Sequence, residues 1–150
     1  MSQPHTLASP RLLLTYVPDI ETLDGYGGGR CGVYYLNYDG APVGAISVTG
    51  HARSHGELGY EITPEFRGQG FATEGMQAVV DGIAEWHGFT LLSAVALSDN
   101  ISSHRVLRKS GFIWVGSKLC WMEQAGFPKA VERFHRFADG RLSAPKGRRS

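Results

Sequence analysis

The sequence predicts a mixed α/β domain, on three observations. Short apolar or alternating runs of strand length are interrupted by two stretches of helical spacing. The order is several strands, helix, strand, helix, strand, strand, which fits neither an all-helical nor an all-β chain. The length, 150 residues, suits one domain able to bury about 70% of its unfolded surface.

Each element has its own reason. Leu12 to Val17 is a short apolar run and the first strand expected. Val33 to Tyr38 and Pro42 to Thr49 flank Asp39-Gly40, a turn signal, and predict a hairpin. Glu57 to Thr63 alternates, with Leu58, Tyr60 and Ile62 on one side and Glu57, Gly59 and Glu61 on the other. From Ala72, residues Met76, Val79, Val80, Ile83 and His87 follow helical spacing, and Gly88 is a stop signal. Phe89 to Leu97 is nearly continuous apolar, as a strand buried on both faces should be. Asn100 to Ser110 predicts a short helix that Asn100 or Ser102 can cap. Strands are expected at Phe112 to Gly116 and at Val131 to Phe137.

Composition excludes several classes of protein. With 19% charged and 42% hydrophobic residues the chain is not of disordered composition. The 20 glycines have no period of three. No apolar run approaches the roughly 20 residues that cross a bilayer, and Met1 to Pro10 has no pattern of a secretory signal. Cys31 and Cys120 form no CxxC and read as reduced residues of a cytoplasmic protein. Gly50 to Gly56, which holds His51 and His55, reads as a loop, and no metal site is expected. The last ten residues carry four basic and no acidic side chains, leaving 11 basic and 14 acidic elsewhere. Residues 1–140 therefore read as the domain and 141–150 as a solvated basic tail. The mildly acidic body argues against a nucleic-acid partner.

The most informative stretch is Arg67 to Thr73, between a strand and an amphipathic helix. Gly68 and Gly70 let the backbone approach a ligand closely. The first N–H groups of a helix have no internal partner, and with the macrodipole they suit a phosphate. Arg67 adds a charged fork. No GxxxxGK[ST] motif is present, and Thr73 stands where a dinucleotide fingerprint needs its third glycine.

Arg67-x-x-Gly70-x-Ala72 resembles the acyl-CoA pyrophosphate loop of the GNAT superfamily of N-acetyltransferases. The resemblance covers about residues 10 to 118: Glu57 to Glu74 looks like that family's fourth strand, loop and third helix, and Ser98 to Phe112 like its fifth-strand exit and fourth helix. The pattern Asn100-x-x-Ser103 followed by Gly111-Phe112 is most similar to the group that acetylates ribosomal-protein N-termini.

The resemblance implies a mostly antiparallel mixed sheet, splayed between its fourth and fifth strands, with flanking helices. It implies acetyl-CoA as cosubstrate, a primary amine (a protein or peptide N-terminus or a related amine) as acceptor, and direct attack of the amine on the thioester. The pantetheine arm would pair with backbone near Glu61, Ile62 and Thr63, and the pyrophosphate would rest on Gly68, Gln69, Gly70, Phe71, Ala72 and Thr73 beside Arg67. Asn100 would bond the arm, and Ser103 would point at the thioester. A neutral amine must form before attack, so a carboxylate base is needed. Glu57 is the first candidate and Glu61 the second. A backbone N–H near Ile62 would serve the oxyanion.

Two departures from the family pattern stand out. The tyrosine that many relatives carry seven residues after this asparagine is replaced by Leu107, which leaves Ser103 to serve the leaving thiolate. Only 13 residues, Pro18 to Arg30, join the first two expected strands, where the family usually places two helices. The acceptor side is then open, covered by a second subunit of a homodimer, or built from Leu119 to Gly140. That shortened wall keeps open a second reading, a regulatory module that binds acyl-CoA without catalysis.

Overall fold

The computed structural model describes residues 6–18, 32–52, 54–122 and 126–139. The connection from Asp19 to Cys31 and the tail 141–150 lie outside the described residues, and so do the expectations placed on them. The elements, in order, are β1 (Thr6–Ala8), β2 (Leu12–Pro18), β3 (Gly32–Tyr38), β4 (Ala41–Ala52), β5 (His55–Ile62), α1 (Phe71–His87), β6 (Leu91–Leu97), α2 (Ile101–Lys109), β7 (Ile113–Met122) and β8 (Phe127–Phe137). A single 3-10 turn, Pro64–Phe66, lies between β5 and α1.

The strands form one eight-stranded sheet in the order β1-β2-β3-β4-β5-β6-β8-β7. Every neighbouring pair is antiparallel except β5 and β6. Those two run parallel and pair only from His55 opposite Leu91 to Glu57 opposite Ser93. Beyond that row they part, leaving Leu58 to Ile62 and Ala94 to Leu97 facing a gap. This is the expected splay.

The hairpin of β3 and β4 turns on Asp39 (φ 51°) and Gly40 (φ 84°), the left-handed pair that a tight two-residue connection requires. Across the sheet, Leu14, Leu36, Ile46, Leu58, Leu92 and Phe134 are buried on one face. Met76, Val79, Val80 and Ile83 of α1 are fully buried against them, each contributing about 1.5–3 kcal/mol by leaving water. Leu107 and His104 bring α2 to the same core; the His104 ring lies 5.6 Å from that of Phe134, and its Nε2 is 2.9 Å from the Leu97 carbonyl oxygen. No described helix packs on the opposite face, where Leu13, Val17, Tyr35 and Val95 are about half exposed. No helix among the described residues is long and apolar enough to cross a membrane.

Three expectations are corrected. β1 was not expected; three residues with no buried side chain give no periodic signal, and the strand exists through its pairing with β2. The presumed loop from Gly50 to Gly56 is largely strand, because β4 and β5 continue pairing through Gly50 opposite Gly56 and Ala52 opposite His55. The two C-terminal strands are longer than their apolar cores, and they form one hairpin from Ile113 opposite His135 to Met122 opposite Phe127. Most of the stretch Leu119 to Gly140 therefore belongs to the sheet, with β8 seated between β6 and β7.

Candidate functional site

The loop into α1 is shaped by its glycines. Gly68 and Gly70 hold φ values of 77° and 83°, which a side chain would oppose by roughly 1–2 kcal/mol each. The first helical hydrogen bond is Glu74 N–H to the Gly70 carbonyl, 3.0 Å, so the N–H groups of Phe71, Ala72 and Thr73 precede the helical ladder. A cavity of about 640 Å³ opens in front of them.

Ile62, Arg67, Gly68 and Gly70 line this cavity, as do Phe71, Ala72 and Thr73 at the start of α1. Asn100 and Ser103 close it from the α2 side. Of the predicted binding residues, Thr63 and Gln69 stand apart from its lining. Thr63 gives both its backbone N–H and its hydroxyl to the Val43 carbonyl of β4, at 2.9 and 3.0 Å. Gln69 turns its carbonyl outward to the Arg11 guanidinium, 3.0 Å away. Arg67 donates Nε to the Ile62 carbonyl at 3.0 Å, which ties the loop to the end of β5. The Asn100 side chain caps α2, its Oδ1 accepting from Ser103 N–H and Ser102 Oγ, so its amide N–H groups are the donors left to face a ligand.

Sequence reasoning missed three further groups in this cavity. Tyr60 was assigned to the apolar side of its strand, yet its hydroxyl reaches the cavity and lies 3.0 Å from Ser103 Oγ. Arg105 and Lys109 stand one turn apart on α2 and line the same space. The only available signal was their four-residue spacing, which on a short helix also describes a solvated face.

Behind the loop, Arg11 acts as a brace. Besides its bond to Gln69, it donates Nε to Glu74 Oε1 at 2.7 Å and its backbone N–H to Glu74 Oε2 at 2.8 Å, and its guanidinium lies 4.2 Å from the Phe71 ring centre. Ser9 Oγ also donates to Glu74. Burial alone would raise the Glu74 carboxyl, but the hydrogen bonds from Ser9 and Arg11 and the charge of Arg11 outweigh it and hold it below its ordinary value.

On the other side of the sheet a second cavity of about 600 Å³ opens over β6. Glu57 lines it at the last paired row before the gap, so the structure does not place Glu57 and Ser103 in one pocket. The two residues stand on opposite sides of the parted strands. Glu61 is exposed and borders the Ser103 cavity. Beside Glu57, His55 Nε2 and Ser93 Oγ are 2.8 Å apart, and the His135 ring is 6.1 Å from that of His55. Burial first, then the charges of Arg133 and His55, hold His135 below its ordinary value. Among the described residues no group of His, Cys, Asp and Glu is placed to hold a metal ion.

Comparison with known proteins bears on the family and the fold. Residues 11–113 match the family described as acetyltransferase (GNAT) domain. An uncharacterized N-acetyltransferase of Bacillus subtilis, YoaA, is 38% identical over 88 residues, which cover 57% of this chain and 50% of that protein. The chain thus spans about half the length of that curated relative. RimL, a ribosomal L7/L12 alpha-N-protein acetyltransferase, superposes with a TM-score of 0.71 at 18% identity over 91% of this chain and 96% of its own. The ribosomal-protein-S5-alanine acetyltransferase of Vibrio fischeri superposes with a TM-score of 0.65 at 18% identity over 73% of this chain and 62% of its own. At these identities the two structures are likenesses of fold.

Proposed function

The chain belongs to the GNAT acetyltransferase family, and on that premise we propose that it transfers an acetyl group from acetyl-CoA to a primary amine. The observation that carries the reading is the gap between β5 and β6, entered by one cavity holding the glycine loop and Ser103 and by another holding Glu57.

The residues present fit acetyl-CoA. The glycine loop offers backbone N–H groups with the positive end of the α1 dipole behind them, and Arg67, Arg105 and Lys109 bring positive charge to the same cavity. Tyr60, Ile62 and the Asn100 amide border the path from that loop toward the gap. When bound, acetyl-CoA supplies an acetyl group activated as a thioester.

Glu57 takes the proton of the incoming ammonium, directly or through water, and so frees the nitrogen lone pair for attack on the thioester carbonyl carbon. A new C–N bond forms and the C–S bond breaks. The backbone of β5 near Ile62 steadies the charge gathering on the carbonyl oxygen. The nitrogen, cationic after attack, gives its second proton to solvent as the intermediate collapses; Ser103, hydrogen-bonded to Tyr60, hands a proton to the departing sulfur and recovers one from solvent through the tyrosine hydroxyl. An N-terminal α-amine, with an ordinary pKa near 8, asks less of Glu57 than a lysine amine near 10.4, so a protein or peptide N-terminus is the favoured acceptor.

The test is release of CoA thiol from acetyl-CoA across peptides, polyamines and other primary amines. Turnover with at least one amine is expected. Tight binding of acetyl-CoA with no turnover on any amine would reduce the protein to a binding module.

A further inference from the structure

On the acetyltransferase reading, on which this inference rests, the acceptor approaches the gap over the face where no described helix packs. The strand register decides which side chains it meets there. Glu57 stands opposite Ser93, and Ser93 opposite His135; one step further along, Val95 stands opposite Arg133, and Lys118 opposite Val131. Direct partners in a sheet project to the same side, so Glu57, Arg133 and Lys118 rise from one face, and all three line the cavity of about 600 Å³.

The charges in that cavity are unequal and separated. Among the described residues Glu57 is the only carboxylate lining it, at the gap, while Arg133 and Lys118 hold the far wall. Neither Arg133 nor Lys118 makes an ion pair among the described residues; the neighbouring carboxylates Glu132 and Asp99 are engaged with Ser98, Trp114 and Ser117, and with Lys129, respectively. Standard strand spacings put the Cα atoms of Glu57 and Arg133 about 12 Å apart. An Arg133 side chain leaning toward Glu57 takes up part of that distance, and the room left then matches one or two residues of extended chain, at about 3.3–3.6 Å each. Half-exposed Val95 lies between as an apolar floor.

The geometry points to an acceptor that carries a carboxylate within one or two residues of its amine: an acidic amino acid, or a peptide with an acid next to its N-terminus. Its ammonium meets Glu57 and its carboxylate meets the Arg133 fork, with Lys118 beside it. A polyamine places its second positive charge against two fixed cations, which like-charge repulsion disfavours.

The experiment uses the full chain with a matched set of acceptors: glutamate, spermidine, and three peptides of equal length whose second and third residues are acidic, neutral or basic. Initial rates of CoA release are measured with acetyl-CoA, and equilibrium binding of each acceptor by calorimetry with CoA present. The acidic peptide or glutamate should exceed the basic peptide and spermidine by at least about tenfold in kcat/KM, with the same order in binding. Glutamate against acidic peptide then separates a free amino acid from a chain N-terminus. Lys118→Glu with Arg133→Glu should reverse the order through KM, with acetyl-CoA affinity and Tm unchanged. A preference for spermidine or the basic peptide, or an order unchanged in the double variant, overturns the inference. If acetyl-CoA binds and no amine is acetylated, the transferase reading fails. The binding order still decides the charge preference: acidic first supports it, and any other order or no binding overturns it.

Discussion

The Tyr60 hydroxyl lies 3.0 Å from Ser103 Oγ, joining the parted strand β5 to the first turn of α2 in the lining of the glycine-loop cavity. Those residues are 43 positions apart. On the proposed mechanism the bond orients the serine hydroxyl and gives it a path for proton return. Ser103→Ala should lower kcat by about 100-fold, the low end of what a positioned acid contributes. Tyr60→Phe should lower it less, and the double variant should be no worse than Ser103→Ala alone. Acetyl-CoA affinity, measured by calorimetry, should stay within about threefold in all three. Additive losses would show that the two hydroxyls act separately.

Glu57 stands at the last paired row before the gap, on the other side of the sheet. Glu57→Gln should lower kcat by about 100-fold and flatten the rise of rate with pH, because the amide accepts no proton. Binding of acetyl-CoA should be unchanged. A variant that keeps the wild-type pH profile would transfer the role of base elsewhere, with Glu61 the next residue to test.

Arg11 braces the glycine loop before α1 from behind through Gln69 and Glu74. Arg11→Ala should weaken acetyl-CoA binding by about tenfold and lower Tm by about 2–4 °C, the shift expected for roughly 1 kcal/mol in a domain of this size. Gly70→Val places a branched side chain at φ 83° and should cost both affinity and stability. Calorimetry and thermal melts check both. Unchanged affinity in both variants would remove the loop from the binding site.

Glu132 accepts hydrogen bonds from Ser117, Ser98 and Trp114, and these hold its carboxyl down from 4.5 to about 2. A carboxyl held lower in the folded than in the unfolded chain stabilises the fold above the unfolded value and loses that contribution as pH falls. Wild-type stability should therefore decline between about pH 4.5 and 2 by more than that of Glu132→Gln, in denaturant melts across that window. Parallel declines would show that the three donors do not favour the charged form.

Much of the candidate site was legible because its signals are local. The two glycines before α1, Glu57 on an alternating strand and Asn100 three residues before Ser103 each sit in one short stretch, and the structure places them around one gap. What escaped depends on distant pairing. Arg11 meets Glu74 across 63 positions, and nothing near either residue announces it. Tyr60 reads as a core residue until the parting of β5 from β6 exposes its hydroxyl. Arg133 and Lys118 come to the Glu57 face only through the register of the C-terminal hairpin, and its full length was hidden because Ser117, Lys118, Glu132 and Arg133 break the apolar pattern. The strand β1 is too short to carry a period at all.

The most direct test of the central claim is a crystal structure of the protein with CoA and an acceptor peptide. The account predicts the pyrophosphate on the backbone N–H groups between Gly68 and Thr73, the sulfur near Ser103 inside the gap between β5 and β6, and the peptide amine within reach of Glu57 from the opposite side. CoA bound away from that loop, or both ligands entering from one side of the sheet, would contradict it.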